Sequence, residues 1–135
     1  MNAKSFVDTN ILVYAAGRDH AHKRRSSEFL LRVAEGEIDA ALDAEVLQEI
    51  LHRYSALRRW KEGAAIYNEA RYQFQNVYAV TAEVTDQAKY IMNRDVSLMA
   101  RDAIHAAVVK VYGLESICSF DRDFDRIPGL RRIEP

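Results

Sequence analysis

The sequence predicts an α/β fold: one domain over residues 1–135, a parallel sheet of about five strands sandwiched between helices. Three observations carry this. Short apolar runs alternate with longer amphipathic segments along the whole chain, so successive strands need crossover connections. Only five Gly and two Pro occur, both Pro in the last eight residues, and no linker, low-complexity tract or internal repeat interrupts the chain. Two of the apolar runs, Ser5-Phe6-Val7-Asp8 and Ser116-Ile117-Cys118-Ser119-Phe120-Asp121, stop at an aspartate.

In order, 4–8 (KSFVD) reads as the first strand. Residues 20–35 read as a helix with Phe29, Leu30 and Val33 on one side. A second strand is expected at 38–42 (IDAAL), and Asp43 stands where an N-cap belongs. The helix after it puts Val46, Leu47, Ile50, Leu51, Tyr54 and Leu57 on one stripe. Residues 60–75 form another amphipathic helix, with Ala64, Tyr67 and Arg71 at helical spacing, and 77–80 (VYAV) a third strand. Thr81 or Thr85 starts a helix bearing Ala88, Ile91 and Met92. A helix over 98–112, a strand at 116–120 and a short final strand in LRRIEP complete the chain.

At 135 residues the chain suits a single core. Apolar residues make up 49% and charged residues 29%, and the longest apolar run, Ile11 to Ala16, is far too short to span a bilayer. Lys4 and Asp8 interrupt any signal-peptide pattern. The single cysteine, Cys118, excludes an internal disulfide and fits a reducing cytoplasm; in an apolar strand it reads as an inert buried thiol. The net charge of −1 announces no overall basic character; were four of the 20 acids occupied by metal ions, the remaining 16 (20 less 4) would face 19 bases.

Asp8 and Asp121 close apolar strands at the carboxyl edge, where open parallel sheets gather ligands. Asp102 opens DAIHAAVV, a segment apolar nearly all round and so a buried helix, which places a carboxylate beside the core. Each acid alone also fits a cap or helix-dipole role. Glu49 lies on the flank of its helix stripe, and its spacing alone reads as a solvent-facing acid.

Taken together, FVDTNILVYA, EVLQEIL, RDAIHAAVV and SFDRDFDRIPGLRRIEP, in that order, resemble the PIN-domain family and within it the VapC-type ribonuclease toxins. The resemblance implies that Asp8, Glu49, Asp102 and Asp121 form the acidic metal site, with Asp8, Asp102 and Asp121 as principal ligands. Glu49 would ligate a second ion or orient water. Ser119 keeps a hydroxyl two residues before the last acid, where the family often has Thr. Thr9 and Asn10 would brace the first acid or contribute a hydroxyl or amide, and Asp125 is an accessory acid. Four gathered carboxylates repel: two charges about 5 Å apart cost roughly 3 kcal/mol at an effective dielectric near 20. Hard cations such as Mg²⁺ or Mn²⁺ relieve that repulsion and activate water. The implied activity is metal-dependent endoribonuclease cleavage leaving 5′-phosphate and 3′-hydroxyl ends. The implied partners are RNA, a second copy of the chain, and a VapB-type antitoxin whose tail covers the site in a toxin–antitoxin hetero-oligomer. A PIN nuclease of RNA processing or decay that is not a toxin is the alternative.

A receiver-type phospho-switch is the rival outside the family; it wants paired acids after the first strand and a late lysine, and VDTN and SFDRD supply neither. A haloacid-dehalogenase-type phosphatase wants D-x-D, and residue 10 is Asn. Lys23, Arg24 and Arg25, and Arg58, Arg59, Trp60 and Lys61, are the basic clusters. They read as solvated faces, with RNA or partner contact as their functional use. Asp19, His20 and His22 read as a solvated helix start, and His105 as a polar neighbour of the site or a satisfied core histidine. Tyr67, Tyr72, Tyr78 and Tyr90 read as packing residues.

Overall fold

The computed structural model describes residues 4–135; residues 1–3 of the expected domain lie outside the described residues. Five parallel strands, β1 (Ser5–Val7), β2 (Ala40–Asp43), β3 (Val77–Tyr78), β4 (Ser116–Cys118) and β5 (Arg132–Ile133), run in the order β3-β2-β1-β4-β5. Register is set on the central strand: Phe6 pairs with Ala41 on one side and with Ile117 on the other. Phe6, Val7, Ala41, Leu42, Ile117 and Cys118 have no exposed surface, as expected of strands covered on both faces.

Six α-helices make the crossovers: α1 (Thr9–Ala16), α2 (Lys23–Ala34), α3 (Ala44–Ala56), α4 (Trp60–Gln73), α5 (Ala82–Arg94) and α6 (Ala100–Tyr112). A 3₁₀ turn, Arg122–Arg126, leads from β4 towards β5. Strands β1 to β3 step outward through α1–α4, and α5 and α6 carry the chain back across the sheet to β4. With right-handed crossovers, these two groups of helices cover opposite faces. The reversal falls between β1 and β4, the topological switch point beside which ligands bind in such sheets.

Local chemistry explains the starts and stops. Asp43 Oδ1 accepts from Val46 N at 2.8 Å and Thr81 Oγ1 from Val84 N at 3.2 Å, so the expected cap at 43 and the first of the two at 81 or 85 both form. Gly113, at φ 69°, closes α6 in the left-handed conformation that favours glycine. Three expectations need correction. Leu51 and Leu57 are 36% and 48% exposed, because the buried stripe of α3 runs Val46, Leu47, Ile50, Tyr54. On α4 the fully buried positions are Gly63 and Ala70, with Ala64 and Tyr67 half-buried and Arg71 exposed. Tyr72 and Tyr90 are 85% and 56% exposed; each lies two residues past a buried alanine, Ala70 or Ala88, which turns it roughly 200° to the outer face.

Candidate active site

Asp8 ends β1 and caps α1 in one move. Its Oδ1 accepts from Thr9 N at 2.8 Å, and its Oδ2 accepts from Ser119 Oγ at 2.6 Å. The same Ser119 hydroxyl accepts from Asp121 N at 3.0 Å and from Asn10 Nδ2 at 3.2 Å. One buried hydroxyl thus ties the acid ends of neighbouring strands β1 and β4. Asp121 caps the 3₁₀ turn by accepting from Asp123 N at 2.9 Å. Asp102 sits in the first turn of α6, where the helix dipole favours a carboxylate. The capping role and the gathering of acids coincide, because backbone N–H groups point to the edge where the strands end.

Asp8, Glu49, Asp102 and Asp121 line one cleft of about 420 Å³. Asp102, Asp121 and Asp123 each offer a carboxylate oxygen, and the three oxygens lie within 4.8 Å of one another, so this cluster could hold a metal ion. Burial raises the pKa of Asp8 above the usual carboxylate value, although His105 and Ser119 pull it down. Asp102 is pushed up to about 6, first by burial and next by the charge of Asp8. Burial and the charge of Glu49 also raise Glu45 on the cleft wall. Crowded together, these carboxylates raise one another's pKa values.

Glu49 corrects its local reading: its side chain is only 14% exposed. His105, which has no exposed surface, reaches it from α6 with Nε2 at 2.6 Å from Oε1. The other ring nitrogen, Nδ1, lies 2.8 Å from Asp43 Oδ2. Burial disfavours a charged imidazole, yet Asp43, by charge and hydrogen bond, together with Glu49 and Asp8, raises His105 well above its usual value. His105 is therefore both a satisfied core histidine and a neighbour of the acids.

The residues expected to assist divide. Thr9 braces Asp8 through its backbone N–H, while its buried Oγ1 has no partner. Asn10 donates to Ser119, and its buried Oδ1 is likewise unpartnered. Both residues line the cleft. The carboxylates of the cleft themselves offer an all-oxygen donor set, which fits a hard divalent cation. Asp125 lies outside the cluster and pairs with Arg132 at 2.9 Å, whereas Asp123, itself paired with Arg126 at 2.8 Å, has a carboxylate oxygen near those of Asp102 and Asp121. The 3₁₀ turn brings residue 123, not 125, back beside the Asp121 cap. Cys118 is buried with its thiol pushed up to about 12, mainly by burial, and is inert.

The basic clusters are partly engaged elsewhere. Lys23 Nζ donates to the Gly17 carbonyl, Arg24 pairs with Glu28, and Arg25 pairs with Glu134 and lies over the Phe120 ring. Arg59 pairs with Glu62, and Trp60 is 55% exposed. The basic groups on the cleft wall are His52, Arg53 and Arg101, which the sequence reading missed. Their signal was available: His52 and Arg53 follow Glu49 by one helical turn, and Arg101 precedes Asp102. His20 stacks on Tyr14 with ring centres 4.7 Å apart, and His22 on Phe120 at 3.8 Å.

Comparison with known proteins agrees with this geometry. Residues 5–130 match the PIN domain family. Ribonuclease VapC13 of Mycobacterium tuberculosis is 35% identical over 127 residues, covering 94% of this chain and 97% of its own. Among solved structures, the VapBC2 complex of Rickettsia felis, bound to a DNA fragment from its promoter, superposes with a TM-score of 0.76 at 15% identity over 98% of each chain. The sarcin-ricin-loop-cleaving toxin VapC20 of Mycobacterium tuberculosis gives 0.75 at 20% identity, over 96% of this chain and 98% of its own. An open parallel sheet whose acids converge at its switch point, matched over nearly its whole length in sequence and in fold, places this chain in the PIN-domain family, alongside the VapC ribonucleases.

Proposed function

We propose that this protein is a Mg²⁺-dependent endoribonuclease, able to use Mn²⁺, that hydrolyses RNA phosphodiesters and serves as the toxin of a VapBC-type toxin–antitoxin pair. The observation that carries the reading is the convergence of Asp8, Glu49, Asp102 and Asp121 from segments up to 113 residues apart (121 less 8) on one cleft. Relatives named as VapC ribonucleases, and solved VapBC complexes of the same fold, support the RNA substrate and the antitoxin partner. The whole chain, 1–135, acts as one nuclease domain.

Asp8, Asp102 and Asp121 are the principal metal ligands, with Asp123 replacing Asp125 as the accessory acid. A divalent ion held there would supply a water of lowered pKa and neutralise charge on the phosphate. Glu49 would orient water or hold a second ion. Ser119 ties the Asp8 carboxylate to the backbone of Asp121 at fixed geometry. Thr9, through its backbone N–H, and Asn10, through Ser119, brace Asp8. Arg53 and Arg101 on the wall hold the incoming phosphates against the acids, as guanidinium groups do bidentately. The protein works in the cytoplasm as a homodimer until the antitoxin's tail fills the cleft. Among the described residues no helix is long and apolar enough to cross a membrane.

The test is expression of wild type and Asp8→Asn in a bacterial host, with growth recorded and whole-RNA cleavage sites mapped. Wild type arrests growth and produces cuts with 5′-phosphate ends; Asp8→Asn loses both, with cleavage down about 100-fold or more. Undiminished toxicity or cleavage in Asp8→Asn overturns the assignment.

A further inference from the structure

We propose that His105 is a positioning residue that clasps Glu49 to helix α6 by holding its Oε1, so that the carboxylate meets the cleft in one fixed orientation. The inference rests on the metal-site reading above and adds to it a residue and a constraint.

Asp8 and Asp121 are fixed by backbone N–H groups of the segments they cap, and Glu49 has no such backbone feature. Glu49 lies in the middle of α3, on a flexible side chain with three rotatable bonds. What holds it is a chain of hydrogen bonds from two other elements. Val46 N donates to Asp43 Oδ1 at 2.8 Å, which fixes the Asp43 carboxylate at the end of β2. Asp43 Oδ2 meets His105 Nδ1 at 2.8 Å, and His105 Nε2 meets Glu49 Oε1 at 2.6 Å. Every link but Glu49 is fully buried, and the Phe6 ring packs 5.0 Å from the imidazole. His105 also follows Asp102 by three residues on α6, so one helical turn supplies an acid of the cleft and the support of another.

Oε1 is held against His105, and Oε2 lies 4.0 Å from Arg101 Nε. The clasp thus fixes the orientation in which Glu49 meets a cation or a bound water. Partners that fix the orientation of a ligand typically contribute 10–100-fold in metal affinity.

Isothermal titration of the full-length protein with Mn²⁺ alone, without RNA, tests the clasp. Four proteins are compared at a temperature well below their melting points: wild type, His105→Gln, Glu49→Gln, and the double variant. The expected result is a dissociation constant about 10-fold weaker in His105→Gln, with no further loss when Gln is added at 105 in the Glu49→Gln background. A residue that merely fills the core gives an unchanged constant, or an equal loss in both backgrounds; either outcome overturns the proposal. If His105→Gln does not fold, Asp43→Asn replaces it, because the amide oxygen still caps Val46 while the carboxylate on His105 is gone. The same loss and the same dependence on Glu49 are then expected. Absence of any Mn²⁺ binding by wild type overturns the metal-site reading itself, and the clasp with it.

Discussion

Asp102 is 8% exposed, faces Asp8 and Asp121, and carries a pKa of about 6. Its folded value lies above its unfolded one, so it contributes stability that is complete below pH 3.8 and lost as pH rises through about 6. At neutral pH the metal-free fold therefore bears an unfavourable charge. Asp102→Asn removes that charge at nearly constant shape. The expected outcome is a metal-free melting temperature several degrees above wild type at pH 7.5, corresponding to about 1–2 kcal/mol, and a smaller gain at pH 5, where Asp102 is already protonated. The variant also loses the rise in melting temperature that Mg²⁺ gives wild type. Differential scanning calorimetry with Mg²⁺ and with EDTA checks all three; a variant less stable than wild type at pH 7.5 would sink the electrostatic account. Asp8, Asp102 and Asp121 were legible in the sequence because each stands where an apolar run begins or ends. Glu49 was legible only through the family resemblance, because its burial depends on a histidine 56 residues away that no local pattern reveals. Asp123 was passed over for Asp125, since the choice depends on a five-residue 3₁₀ turn.

At the scale of elements, the close pairing of α3 and α4 depends on Gly63. A Cβ there would overlap the Cβ of Tyr54, whose side chain is 4% exposed on α3. The sequence shows only a glycine in a helix, which propensity counts as a weakness; the reason appears once the helices are packed. Gly63→Ala is expected to lower stability by about 1–2 kcal/mol, the overlap exceeding the gain in helix propensity. Thermal denaturation measures it, and a stabilised variant would mean that α4 shifts freely. Helix α1 was read only as an apolar run, Ile11 to Ala16. Its eight residues are too few for a helical period to stand out, and the Asp8 cap that starts it was also the end of a strand. The longer helices were legible because their stripes extend over three turns or more.

For the whole molecule, alternation of strand and helix was enough to indicate a parallel sheet, and the resemblance to PIN domains fixed its family. The strand order β3-β2-β1-β4-β5 was not written in any local segment. That order makes β1 and β4 neighbours and so brings Asp8 to Asp121 through one serine. The central claim is that this convergence builds a divalent-cation site. X-ray diffraction at a wavelength giving anomalous signal from Mn²⁺, on crystals grown with the ion, tests it most directly. The account predicts an anomalous peak in the cleft within about 2–2.5 Å of carboxylate oxygens from Asp8, Asp102 or Asp121. A saturated crystal with no peak there, or with Mn²⁺ bound only to acids outside the cleft, would contradict it.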